Sequence, residues 1–167
     1  MCRLGGLAFW QDAPVANVTI IRERVVRAPV EDLWPLVDDV RRLPEWFSGI
    51  EGIEPIDGEG AGRRQRAHGS WGRKAFEIDQ VVTGYQPPYL LAWEHEAERL
   101  DGEPAPEFVR STRFEIRLLP RPEGSLVRLE SVQEPAGLLR GAAVRLLAKR
   151  RVASDMERSL RALAGMF

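Results

Sequence analysis

Apolar and polar residues alternate along this chain at two different periods, and the switches between them mark its elements. From Asn17 to Arg27 (NVTIIRERVVR) β-branched residues dominate, which predicts a strand. Ala28-Pro29 ends it. Pro29 suits the first turn of a helix, because it fixes φ and lacks an N–H that would be orphaned there anyway. The helix predicted over Val30–Val37 carries Val30, Leu33, Trp34 and Val37 on one side. Glu31 and Asp32 fall in its first turn, where negative charge is favoured. Asp38 or Asp39 can cap a second short helix over about Val40–Phe47, which Pro44 makes short or irregular.

Beyond Ser48-Gly49 the period falls to two and stays there. Ile50–Ile56 reads as a strand, and Gly58, Gly60 and Gly62 as a turn. Arg63–Ser70 is a polar strand, expected at a sheet edge or well solvated, and Trp71-Gly72-Arg73 is a hairpin connection. Lys74–Tyr85 has Phe76, Ile78, Gln80 and Val82 in phase. After the turn Gln86-Pro87-Pro88, Tyr89–Glu98 puts Leu91, Trp93 and His95 on one side. Arg99–Pro106 is a polar Pro/Gly loop, where disorder is expected. Phe108–Leu119 carries Thr112, Phe114, Ile116 and Leu118 in phase; Leu126–Glu134 carries Val127, Leu129 and Ser131.

Pro135 then opens the one long helical stretch, which Gly165 can close. Leu139, Ala143, Leu146, Ala153, Met156, Leu160 and Leu163 recur at helical steps, with Arg150 filling one slot of the stripe. Such a helix needs an apolar surface to lie on. The order is a strand, two short helices, six strands and a long helix. Short connections between successive strands imply an antiparallel sheet, and segregated helices make the class α+β. Met1–Ala16 has no sustained period and reads as an N-terminal extension, leaving residues 17–167 as a single domain.

Composition adds limits. An apolar fraction of 44% and a charged fraction of 29% are ordinary for a globular protein. A net charge of −1 argues against general nucleic-acid affinity. That balance hides an asymmetry: Leu138 to Ala164 holds seven Arg/Lys against two Asp/Glu, so the helix is +5 and the remainder −6. The basic face, with Arg145, Lys149, Arg151, Arg158 and Arg161, is either a solvated surface or a contact for a partner or an anionic membrane. Cys2 is the sole cysteine, so no disulfide framework, redox pair or zinc motif can form. No run approaches the roughly 18 apolar residues of a membrane span, and the N-terminus lacks a signal-peptide pattern, so a cytoplasmic location is expected.

Candidate chemistry is sparse. His95 shares its phase with Leu91 and Trp93; it is either a hydrogen-bonded residue near a strand end or an acid/base group in an apolar pocket. The two histidines lack metal-site spacing, and no cofactor is implied. An unpartnered guanidinium buried in the helix stripe would cost several kcal/mol. Arg150 therefore snorkels outward, pairs with a carboxylate or meets an anionic ligand group. No serine has a nucleophile elbow, and the glycines at 58–62 do not precede a helix, so they are not a nucleotide loop.

Several local patterns, in order, resemble the START-like superfamily, also called SRPBCC or helix-grip proteins, and its small bacterial polyketide cyclase/dehydrase-like members. They are Ala28-Pro29-Val30-Glu31-Asp32-Leu33-Trp34, Val37-Asp38-Asp39, Leu43-Pro44-Glu45-Trp46, Pro87-Pro88-Tyr89-Leu90-Leu91-Ala92-Trp93-Glu94 and Gly124-Ser125-Leu126-Val127. The resemblance spans about Asn17 to Leu163, and Ser125 stands where the family usually has Thr. It implies a seven-stranded antiparallel sheet curled around the C-terminal helix, with an apolar cavity between them. Members bind lipids, sterols, polyketides and other hydrophobic molecules; some cyclise or dehydrate polyketides. None of this fixes the chemistry of one chain.

On that frame the expected ligand-binding positions come from both walls. Trp46, Trp71 and Trp93 either line the cavity or its mouth or pack structurally, while Trp34 is assigned to packing. Phe76, Ile78, Gln80, His95, Phe114, Ile116, Leu129 and Ser131 come from the sheet, and Leu146, Arg150, Ala153 and Met156 from the helix. The leading expectation is binding, transport or sequestration of a hydrophobic small molecule. The alternatives are a polyketide cyclase or dehydratase using His95, and a non-catalytic module docking through the basic helix face. Either a monomer or a homodimer fits the sequence.

Overall fold

The computed structural model describes residues 16–106, 109–136 and 138–167, with the side chains at 138–148 outside that description. The extension expected at residues 1–16 therefore lies, Ala16 apart, outside the described residues. In order come β1 (Val18–Val26), α1 (Val30–Asp38), a single 3-10 turn (Leu43–Glu45), β2 (Gly52–Asp57), β3 (Arg64–Trp71), β4 (Lys74–Gln86), β5 (Leu90–Leu100), β6 (Glu103–Pro104), β7 (Val109–Arg121), β8 (Gly124–Pro135) and α2 (Leu138–Ala164).

The strands form one antiparallel sheet in the order β1-β8-β7-β5-β4-β3-β2, with the two-residue β6 added to the end of β5. This is the expected α+β class: seven long strands on one path, with a short helix near the start and a long one at the end. α2 lies on the inner face of the sheet, chiefly against β1 and β8. Ile20, Phe114, Ile116, Leu129, Met156, Leu160 and Leu163 share its core with Leu33 and Val37 of α1.

Four expectations are corrected. Val40–Phe47 holds only the 3-10 turn, whose second position is Pro44; Asp39 Oδ1 accepts the Arg41 N–H at 3.0 Å, a local turn that replaces the helix cap. Arg63–Ser70 is not an edge: β3 runs between β2 and β4, and it reads as polar because Arg64, Arg66 and His68 face outward while Gln65, Ala67 and Gly69 are buried. Arg99–Pro106 is largely ordered pairing, since Arg99 and Leu100 continue β5 and Glu103-Pro104 folds back on them. Pro135 does not open the helix; it is the buried last residue of β8, opposite Val109.

The outer face is laced with charge. Asp79 on β4 accepts hydrogen bonds from Arg66 (2.6 Å) and Arg99 (2.7 Å) of the strands on either side. Those two guanidiniums hold its carboxyl down at about 2. Glu115 also faces outward, yet it is buried beneath the arms of Arg113 and Arg117, both of which pair with it.

One end of the sheet is a closed apolar plug. Leu91, Ile116, Leu118, Val127, Leu129 and Leu163 are almost completely excluded from water there. The registers place Trp71, Lys74, Leu100, Val109, Pro135 and Val18 together at the opposite end, where α2 begins. On β5 the inner-face exposure rises along that direction, from Trp93 at 1% to the side chains of His95 at 17% and Glu98 at 41%. The polar residues are concentrated on this gradient.

Candidate functional site

The floor of the inner face is aromatic. Trp93 and Phe114 are cross-strand partners on β5 and β7, and their rings stack with centroids 5.0 Å apart and planes 23° from parallel. Phe47 meets both edge-on, at 6.0 Å and 5.1 Å, and Trp46 meets Phe47 at 5.6 Å. Edge-to-face and offset-stacked rings are the preferred arrangements of aromatic quadrupoles, so the cluster is well ordered and apolar. Trp46 satisfies its one polar atom by donating Nε1–H to the Leu36 carbonyl at 2.9 Å. The 3-10 turn of Pro44 is what swings Trp46 and Phe47 over the sheet.

Above this floor runs a row of polar side chains. Gln65 pairs in register with Gln80, and Gln80 with His95, across three adjacent strands. Gln65 and Gln80 are 1% and 2% exposed, and the Gln65 amide donates to Gln80 Oε1 at 2.9 Å. Ser131, opposite Phe114, and Thr112 are buried on the same face of β8 and β7. Buried amides and hydroxyls belong in hydrogen-bonded partnerships, but Gln65 Oε1 has no partner among the described residues.

The row continues through an irregularity. Between Asp79 and Gln80 the β4–β5 register slips, so that Gln80 opposes His95 while Asp79 opposes Ala97. Glu96 is the extra residue, and beyond it the faces of β5 exchange. Glu98 thereby lands opposite Ile78 on the inner face, and its Oε1 lies 2.7 Å from His95 Nδ1. The hydrogen bond from His95 lowers the Glu98 carboxyl pKa from its ordinary value, against the opposing effect of burial. An ionised carboxylate only accepts, so Nδ1 carries a proton and the ring presents Nε2 to the inner face.

Of the expected site residues, Trp46, Trp93, Gln80, Phe114, Ile116, Leu129, Ser131, Ala153 and Met156 are buried around this inner face. Phe76 and Ile78 are half-buried on it, towards the end where α2 starts. A Cβ on Gly69 would stand 2.7 Å from the Phe76 ring, so glycine lets that ring lie flat against β3. His95 is on this face too. Two residues are exposed. Trp71, in phase with Gln65, Ala67 and Gly69, is 57% exposed at the β3–β4 hairpin tip of the open end, and Arg150 is exposed on α2 rather than set within the apolar stripe. Leu146 lies within α2, but its side chain is outside the described residues.

The buried Ala153, Met156, Leu160 and Leu163 fix the sheet-facing side of the helix, and by period Lys149 sits closer to its centre than Arg150 does. Lys149 is exposed all the same, lining with Ala16, Asn17, Val18 and Thr19 an open cleft of about 350 Å³ between α2 and the start of β1. On the outer side of α2, Arg151 (3.6 Å) and Arg158 both pair with Asp155, which partly neutralises the basic face. Three row members escape the sequence reading: Gln65, Thr112 and Glu98. Gln65 and Thr112 were legible as buried-phase polar positions, whereas nothing in the sequence marks the register slip that turns Glu98 inward. Among the described residues no group of three or more His, Cys, Asp or Glu could hold a metal ion, and no helix is long and apolar enough to cross a membrane.

A family model described as polyketide cyclase / dehydrase and lipid transport matches residues 17–166. No curated protein matches the chain in sequence. Solved structures with the same fold include the major latex-like protein 151 of Panax ginseng (TM-score 0.70, 12% identity, 90% of this chain and 97% of that one). Another is a Thermus thermophilus protein (TM-score 0.70, 19% identity, 89% and 95%). A third is the Zhui aromatase/cyclase from Streptomyces sp. R1128 (TM-score 0.67, 16% identity, 90% and 93%). At these identities the likeness is one of fold.

Proposed function

Because the chain belongs to the polyketide cyclase / dehydrase and lipid transport family, we propose that it binds one hydrophobic small molecule between the inner face of the sheet and α2. The observation that carries this reading is the pairing of an aromatic floor with a polar row directly above it. Trp93, Phe114 and Phe47 offer apolar area, and Gln65, Gln80, His95 and Glu98 offer a few fixed polar atoms. Sites of this composition draw affinity from the apolar walls and orientation from the polar groups. A purely structural core gains nothing from burying an amide acceptor without a partner, which costs about 1–3 kcal/mol.

The test uses the neutral fluorophore N-phenyl-1-naphthylamine with the whole purified chain. Saturable fluorescence enhancement at one probe per chain, with quenching of tryptophan emission, is the expected result. Native mass spectrometry of freshly purified protein should show a co-purifying hydrophobic compound that the probe displaces. Absence of both saturable uptake and a co-purifying compound overturns the reading.

A second reading is favoured by the His95–Glu98 contact. A carboxylate that fixes the ring through Nδ1 leaves Nε2 to take a proton, which suits acid/base work on a bound polyketide. Here His95 would act on the ligand and Glu98 would be a positioning residue. If so, His95→Gln abolishes turnover of a poly-β-keto thioester analogue while retaining binding of the naphthylamine probe. A wild-type chain that binds the analogue without altering it removes this second reading.

A further inference from the structure

We infer that this site selects ligands whose polar end is a neutral hydrogen-bond donor, such as a phenol or alcohol hydroxyl, and rejects those ending in a carboxylate. The inference rests on the binding reading above and adds to it the chemistry of the ligand's head.

The row is rich in acceptors. Gln65 Oε1 is buried with no partner among the described residues, while the amide nitrogen of the same side chain is spent on Gln80. His95 donates its Nδ1 proton to Glu98, so its Nε2 is an acceptor whenever the ring is in its neutral tautomer. Glu98 contributes a carboxylate whose second oxygen has no hydrogen bond among the described residues, and it is ionised because His95 lowers its pKa. Thr112 and Ser131 are hydroxyls able to serve either way.

Among the described side chains, the paired cations face elsewhere. Arg64, Arg66, Arg99 and Arg113 lie on the outer face, each engaged with an acidic partner. Arg22, which reaches α2, is paired with Glu157 at 2.7 Å. Arg63 pairs with Asp38 at the α1 end of the sheet, and that carboxylate also accepts the Tyr85 hydroxyl. Lys149 lines the cleft with residues 16–19, which contains no member of the row. A carboxylate brought to Gln65 and Glu98 would therefore meet an acceptor and a like charge, and would be desolvated with no donor from either side chain. A hydroxyl would satisfy the orphaned oxygen instead.

The experiment is displacement of bound N-phenyl-1-naphthylamine by 2-naphthol and by 2-naphthoate at neutral pH, where the first is neutral and the second ionised. The rings match, so the difference reports the head. Naphthol is expected to displace the probe at about tenfold or more lower concentration, the scale of one satisfied buried acceptor. Glu98→Gln should strengthen naphthoate severalfold and leave naphthol little changed; Gln65→Leu should weaken naphthol. Naphthoate competing as well as naphthol in the wild-type chain overturns this inference while leaving hydrophobic binding intact. A Glu98→Gln variant with an unchanged preference overturns the role given to Glu98. Failure of the probe itself to bind removes both this inference and the reading beneath it.

Discussion

Ser125 ties the first strand's exit to the start of the last hairpin strand. Its side chain is completely buried, and its hydroxyl donates to the Ala28 carbonyl at 2.7 Å, just before α1 begins. Gly124 beside it has φ +139°, and an added Cβ would collide with the Val26 carbonyl oxygen, a backbone atom that cannot step aside. The Gly124-Ser125 pair is thus a structural clasp, and its place in the sequence pattern follows from packing. Ser125→Ala should cost about 1–2 kcal/mol by leaving the buried Ala28 carbonyl unpaired. Denaturant unfolding measures this; a midpoint unchanged at constant slope would show that the carbonyl finds another donor. Any loss of stability here should leave probe affinity unaltered, because the clasp is remote from the polar row.

Among the elements, the middle strands show both what pattern reading can find and where it stops. Asp79 joins β3, β4 and β5 across the outer face, and its carboxyl sits at about 2 against an ordinary 3.8 because Arg66 and Arg99 both donate to it. A depressed carboxyl stabilises the fold above its unfolded value and loses that contribution as pH falls through its folded one. The chain should therefore lose stability between about pH 4 and pH 2, and Asp79→Asn should flatten that part of the curve. The variant should also lose about 1 kcal/mol at neutral pH, a modest figure because both arginine arms are partly solvated. Urea midpoints across that pH range test it, and parallel curves for wild type and variant would rule it out. The strands themselves were legible because β-branched and aromatic residues alternate cleanly over Lys74–Tyr85 and Phe108–Leu119. What alternation cannot show is a slip. Strict parity sets His95 and Glu98 on opposite faces, and only the extra residue Glu96 puts them together. The same blindness made Arg99–Pro106 look like a loop. In the long helix, steps of three and four leave both Lys149 and Arg150 as candidates for the apolar slot, and the structure buries neither.

For the molecule as a whole, the core is divided along the sheet. At the α1 end Leu33, Val37, Ile116, Leu118 and Leu163 are fully enclosed, and α2 is pinned there by Leu160, by Arg22–Glu157 and by Ser159, whose hydroxyl accepts the Ser48 N–H at 2.8 Å. Towards the start of α2 the inner face becomes polar and partly open, with His95 and Glu98 on β5. A fold built this way keeps stability and recognition in separate parts of one core, so mutations at the two ends should have opposite profiles. Leu163→Ala removes a fully buried side chain at the plug and should cost about 2–5 kcal/mol, with little change in N-phenyl-1-naphthylamine affinity under native conditions. His95→Ala removes a side chain already in contact with water and should cost less than about 1 kcal/mol, yet weaken 2-naphthol severalfold. Guanidinium unfolding and probe displacement on the same two variants decide the matter. If Leu163→Ala weakens naphthol in proportion to its loss of stability, the plug and the polar row are one cooperative unit, and the division of labour along the sheet fails.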